Sequence, residues 1–312
     1  MAKLHISSSP HISSKRTTQS IMLDVVIALM PLLIAGCIIF GMRSLLVVGA
    51  SVVASVGSEY IFCLITKKKN TIFDLSAVVT GVIIGLNLPA TAPIWQVIVG
   101  SVFAIVVVKG LFGGLGQNFA NPAATARVFL LICFSGTLSG GVTPKLSSAP
   151  DLVAGATPLT VMRDGGELPS LLDMFLGLRG GAIGETCVLA ILIGFAYLVI
   201  RRVINFEVPL IYVATVFVLS LIADNSFSVA LYQVLSGGLM LGAVFMITDY
   251  ATTPVTREGK MVFAFGCGLI TYLIRAYGSY PEGVSFAILL MNILTPYIQK
   301  WTAKRPFGGA KV

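Results

Sequence analysis

The chain has 312 residues, 56% of them hydrophobic and only 11% charged. Soluble domains carry roughly 25% charged residues, so this composition excludes a soluble globular protein and leaves an integral membrane one. The net charge of +8 does not point to nucleic acid, because the basic residues stand at the ends of apolar runs and form no aromatic-interleaved patch.

In chain order, residues 1–20 form a polar, Ser-containing tail with His5 and His11 and no apolar core. It does not read as a cleavable signal peptide, so the first span is expected to insert uncleaved. Ten apolar runs follow, approximately 22–40, 44–66, 73–89, 94–112, 121–139, 183–201, 207–223, 227–248, 260–277 and 283–299, each near the length needed to cross a bilayer. The expected fold is therefore an all-α integral membrane protein of about ten transmembrane helices. Cysteines at 37, 63, 133, 187 and 267 all fall in apolar segments, with no Cys-x-x-Cys pair, and read as small buried hydrophobes.

With the N-terminus placed in the cytoplasm, Arg43, Lys145, Arg163, Arg179 and Arg275 fall outside, Arg127 falls within a span, and the remaining Lys and Arg fall inside. That bias obeys the positive-inside rule. Both termini are expected in the cytoplasm of a bacterial cell, and the long connection after the fifth span on the outer side of the inner membrane.

The two halves resemble each other. Pro-Ala-Thr-Ala-Pro at 89–93 matches Tyr-Ala-Thr-Thr-Pro at 250–254, and Asn-Pro at 121–122 is echoed by Tyr-Pro at 280–281. Five spans per half is an odd number, so the repeats must be inverted: 21–140 and 183–300, separated by the outer loop 141–182 and closed by a cytoplasmic tail, 301–312. Inverted repeats with interrupted helices place binding sites near the midplane. The third span, with Gly81 and Gly85 before Leu88-Pro89, and the eighth, with Gly237, Gly238 and Gly242 before Asp249, fit interrupted helices or close small-residue packing. Asp249 is the best intramembrane candidate for an ion path; Asp24, Glu59 and Glu185 sit where snorkelling or capping explains them.

The outer loop holds Pro144, Pro150, Pro158 and Pro169, which keep it irregular, and loops of this length are usually functional. Its centre, Asp151-Leu-Val-Ala-Gly-Ala-Thr-Pro-Leu-Thr160, presents Thr157 behind Gly155 and Ala156. A threonine hydroxyl needs a nearby base to become nucleophilic, and both histidines lie in the N-terminal tail, so any modification of Thr157 requires an external enzyme. Read alone, the loop better fits a turn in which Thr157 caps the local backbone.

The Asp-x-x-Ala-Gly-Ala-Thr stretch resembles the flavinylation signature Asp-x-x-Ser/Thr-Gly-Ala-Thr/Ser, departing at Ala154. Phe-Gly-Gly-Leu-Gly-Gln-Asn-Phe-Ala-Asn-Pro-Ala-Ala-Thr-Ala-Arg at 112–127 and Ser-Pro-His at 9–11 extend the likeness over nearly the whole chain. The sequence resembles the RnfD family of Rnf-complex membrane proteins, homologous to the NqrB component of the sodium-pumping NADH:quinone reductase. The resemblance implies FMN joined to Thr157 by a phosphoester, within Asp151, Gly155 and Ala156, and a second, non-covalent flavin, riboflavin, at Asn118 and Asn121. Amide side chains supply both donors and acceptors to a flavin edge. Asn121 also fits a helix N-cap before Pro122, a compatible role. Arg127 reads either as a ligand to a flavin oxygen or phosphate or as an interfacial charge.

The function so implied is an electron relay in an ion-translocating ferredoxin:NAD oxidoreductase, coupled to Na+ or H+ movement, with Rnf subunits A, B, C, E and G and a flavin transferase as partners. The chain has no dinucleotide fingerprint in a strand–helix unit, so NAD and ferredoxin are expected to dock elsewhere. The competing reading is a small-solute transporter or channel of inverted-repeat type without a redox cofactor.

Overall fold

A computed structural model of the protein describes residues 16–68, 71–138, 140–142, 144, 154–155, 157–166, 168–278 and 282–303. Its helices are α1 Thr18–Phe40, α2 Met42–Thr66, α3 Ser76–Leu86, α4 Ile94–Val102, α5 Pro122–Cys133, α6 Ser135–Leu138, α7 Pro158–Asp164, α8 Leu171–Leu176, α9 Val188–Ile200, α10 Glu207–Asp224, α11 Phe227–Leu235, α12 Leu239–Leu241, α13 Arg257–Tyr277 and α14 Val284–Thr302. A two-residue antiparallel pair, β1 Gly141–Val142 and β2 Ala154–Gly155, ties together two parts of the long connection between α6 and α9.

Every apolar run expected to span contains helix, but not every helix is long enough to span by itself. Four are both long and apolar enough: α1, α2, α10 and α13. The expected third span, 73–89, is reduced to the 11 residues of α3, a rise of about 16 Å against a hydrocarbon core of about 30 Å. Beyond it the chain stays buried through Leu88, Pro89, Ala90 and Ala92. The expected eighth span is broken outright. α11 and the segment Leu239–Met246 meet at 63° across Gly237, whose φ of +62° lies in the left-handed region that glycine occupies at little cost.

Local chemistry explains these boundaries. Thr17 caps α1 by accepting from the Ser20 N–H, and Asn225, in the left-handed conformation, ends α10. α4 runs on as π-helical turns over Phe103–Gly110, and α12 does the same over Gly242–Met246; π turns mark functional or strained stretches of helix. Small residues set the closest packing. A Cβ on Gly81 would stand 2.8 Å from Val52 Cα, and one on Gly85 would stand 2.7 Å from Val48 Cα, so α3 lies directly on the backbone of α2.

The core is a continuous apolar mass that includes Leu29, Phe40, Leu86, Leu130, Tyr212 and Phe263. The outward helix faces are apolar too: Ile38, Leu46, Val53 and Ile65 are each more than 60% exposed. A periphery of this kind needs hydrocarbon rather than water as its solvent. The molecule is a multi-pass helical membrane protein.

Candidate functional site

The structure separates the residues singled out in the sequence into two places. Thr157 stands at the start of α7. Asn118, Asn121 and Asp249 meet at a cleft between the helices. Asp151 and Ala156 lie outside the described residues, and Gly155 is placed as part of β2.

Thr157 is the N-cap of α7, with Pro158 in the first helical position, a pairing that follows ordinary capping preferences. Its Oγ1 accepts from the Thr160 N–H at 3.4 Å and lies 2.9 Å from Thr160 Oγ1, while the Thr160 hydroxyl donates to the Thr157 carbonyl at 2.7 Å. Thr160 has one hydroxyl proton and spends it on that carbonyl, so the Thr157 hydroxyl is the donor between the two. The residue is buried at 5% exposure. A Cβ on Gly141 would stand 3.1 Å from Thr157 Cγ2 and 3.0 Å from the Gly181 nitrogen, so glycine backbone forms the wall beside the threonine.

The cleft is lined by Ser76, Thr80, Lys109, Asn118, Asn121 and Asp249, among others, and its enclosed cavity measures about 80 Å³. Small-molecule sites run to roughly 300–1,000 Å³, so a ring-sized ligand needs the cleft to widen. The two asparagines do different work. Asn121 Oδ1 accepts from the Ala123 and Ala124 N–H groups, capping α5, and its Nδ2 donates to the Met246 carbonyl at 3.2 Å. Its backbone N–H donates to Asn292 Oδ1 at 2.9 Å. Asn121 thus joins α5 to the broken helix and to α14, and both polar ends of its amide have protein partners. Asn118 Oδ1 is buried and has no partner among the described residues. An acceptor left so costs about 1–3 kcal/mol, and a bound group with a donor would relieve it.

Asp249 does not stand free. Its carboxylate accepts from the Ala251 N–H at 3.2 Å and the Thr252 hydroxyl at 3.2 Å, which closes the turn that ends the broken helix. Arg127 is buried, donates to the Asn87 carbonyl, and pairs with Glu282 at 3.0 Å. It pins α5 to the C-terminal end of α3 and to the segment before α14, so these donors are already directed at protein acceptors.

Three polar clusters were not foreseen. Lys109, read in the sequence as one more inner-face charge, is 3% exposed and sits in the π turns after α4. Its Nζ donates to Glu59 Oε1 at 2.7 Å and Ser76 Oγ at 2.6 Å, and Glu59 Oε1 also accepts from the Thr71 hydroxyl at 2.7 Å. Asp24, likewise, accepts from Tyr197 Oη at 3.0 Å and pairs with Arg201 at 3.2 Å. These carboxylates are paired rather than snorkelling.

The third cluster surrounds the break between α11 and α12. Arg179 Nη2 donates to the Glu185 carbonyl at 2.7 Å, and Arg275 donates to the Gln233 carbonyl and, at 3.1 Å, to that of Ser236. Glu185 accepts from the Ala182 N–H at 2.9 Å. Both arginines are buried; the sequence assigns them only to the outer side. The legible signal was the conjunction of Glu185 with the Gly237-Gly238 break, because broken backbone inside a membrane needs polar partners.

The chain matches the NQR2, RnfD, RnfE family over residues 5–308. It is 47% identical to the D component of the Na(+)-translocating ferredoxin:NAD(+) oxidoreductase complex of Acetobacterium woodii, over 99% of this chain and 96% of that one. It is 37% identical to the D component of the proton-translocating ferredoxin:NAD(+) oxidoreductase complex of Clostridium ljungdahlii, over 97% and 96%. The D component of the ion-translocating oxidoreductase complex of Stutzerimonas stutzeri is 36% identical, over 94% and 93%. The chain belongs to the NQR2, RnfD, RnfE family.

Proposed function

We propose that this protein is the membrane electron-relay subunit of an ion-translocating ferredoxin:NAD oxidoreductase, with FMN esterified to Thr157 and riboflavin in the cleft at Asn118. The observation that carries the proposal is near-full-length similarity to the D components of such complexes. The flavins, when bound, supply one- and two-electron transfer; the chain supplies position, polarity and exclusion of water.

At the outer site, Thr157 offers an anchor held by a helix cap and walled by glycine backbone. Esterification removes the proton it gives to Thr160 Oγ1 and leaves the oxygen able to accept from the Thr160 N–H. Thr157 is 5% exposed, so a flavin transferase needs the start of α7 to move before it reaches Oγ1. At the inner cleft, the orphaned Asn118 Oδ1 fits a ring N–H or ribityl hydroxyl, and Asn121 holds the wall in place from three sides.

Two inverted five-helix repeats, with both termini in the cytoplasm and Thr157 on the outer side, are part of this reading. Three features support it: α1 packs on its proposed counterpart α9 and α5 on α14, both halves contain a shortened or broken helix, and π turns recur in each half. The orientation separates the two flavin sites along the membrane normal, as a relay requires. The remaining Rnf subunits A, B, C, E and G would hold the ferredoxin and NAD sites, and the ion moved is Na+ or H+.

The test is expression with a flavin transferase, denaturing electrophoresis and ultraviolet illumination. The wild type and Thr157→Ser should fluoresce, since serine keeps both hydroxyl and cap, and Thr157→Val should be dark. A dark wild type isolated from its native membrane would favour a transporter without a redox cofactor.

A further inference from the structure

α9 and α10 are consecutive in the chain and are joined by a short turn, yet they part company. α9 packs on α1 and α10 packs on α13. Between α9 and α10 runs an entirely apolar groove of about 850 Å³, counting its open side, lined by Leu192 and Phe195 of α9, Pro209, Val213 and Phe217 of α10, and Met240 of α12. The groove opens sideways past Phe206 and Leu210, which are 55% and 60% exposed. In the first half the corresponding helices, α1 and α2, pack directly on each other.

The turn that joins α9 to α10, next to the groove residue Phe206, is strongly basic. Arg201 and Arg202 lie in it, and Arg16 donates to their two backbone carbonyls, at 2.8 Å and 3.3 Å. Arg201 pairs with Asp24 at 3.2 Å. The Arg202 side chain is exposed and makes no hydrogen bond or ion pair among the described residues. Its guanidinium charge belongs to the turn that leads into Phe206, a lining residue of the groove.

We propose that the groove binds one anionic phospholipid, with an acyl chain between α9 and α10 and the phosphate at the Arg16–Arg201–Arg202 turn. The groove opens toward the hydrocarbon, its walls offer no polar partner, and buried methylenes favour an acyl chain there. The basic rim selects the head group, because cations at the cytoplasmic surface attract anionic lipid. The proposal is independent of either flavin and takes from the function above only the cytoplasmic position of this turn.

Native mass spectrometry of the full chain, delipidated in mild detergent and then titrated with phosphatidylglycerol or with phosphatidylcholine of the same acyl chains, tests it. The wild type should retain phosphatidylglycerol at least severalfold more tightly. Arg202→Asn, which tolerates the left-handed backbone at that position (φ +53°), should weaken phosphatidylglycerol about fivefold and leave phosphatidylcholine unchanged. Ala214→Phe, which fills the groove, should weaken both. Equal retention of the two lipids by the wild type, or undiminished binding to Ala214→Phe, would overturn the proposal. So would a photo-cross-linker at position 210 that captures a protein helix instead of lipid in native membranes.

Discussion

Asn118 and Asn121 are three residues apart and have opposite energetics. Asn121 caps α5 and ties it to Met246, so Asn121→Ala should lower stability by about 1–2 kcal/mol, seen as a lower thermal midpoint in detergent. Asn118 leaves a buried oxygen without a partner among the described residues. Asn118→Leu removes that liability and should leave the apoprotein's midpoint unchanged or slightly raised while lowering extractable riboflavin. Unchanged riboflavin content would withdraw Asn118 from the cofactor site. At Thr157 the sequence left a helix cap and a modification site as alternatives. The cap is present, and it does not displace the second role, because an esterified oxygen still accepts from Thr160. The sequence showed that Asn121 could cap, through Asn-Pro; it could not show the Met246 and Asn292 partners, which lie more than 120 residues away.

Among the elements, the short α3 and the broken α11–α12 segment carry most of the unusual chemistry. Lys109 and Glu59 form a buried pair beside α3. Breaking such a pair by removing one partner costs about 3–5 kcal/mol, whereas replacing both by apolar groups is often nearly neutral. Lys109→Met should therefore be strongly destabilising, and Lys109→Met with Glu59→Met should recover most of the loss in chemical denaturation. Equal damage from the single and double changes would assign the pair a role other than mutual neutralisation. Gly85→Val is expected to push α3 off α2, since even a Cβ would approach Val48 Cα to 2.7 Å; overpacking of this kind costs about 1–3 kcal/mol. Apolar run length identified where helices lie, because that signal is local. It overestimated α3 and missed the extent of the buried 87–93 loop, because polar satisfaction of a broken backbone comes from distant groups such as Arg127, which reaches the Asn87 carbonyl. Lys109 read only as an inner-side charge for the same reason: its partner Glu59 is 50 residues away.

On the scale of the whole molecule, the structure combines an apolar periphery, interrupted helices with buried ionic partners, and a glycine-walled threonine that caps the short helix α7. Membership of the NQR2, RnfD, RnfE family gives that arrangement its context, and the relay proposal gives it a central claim: Thr157 carries FMN. The most direct measurement is peptide mass spectrometry of the protein purified from its native membrane. The peptide containing Thr157 should be heavier by one FMN less one water, with fragment ions placing the addition on that residue. An unmodified peptide recovered at full occupancy would contradict the account.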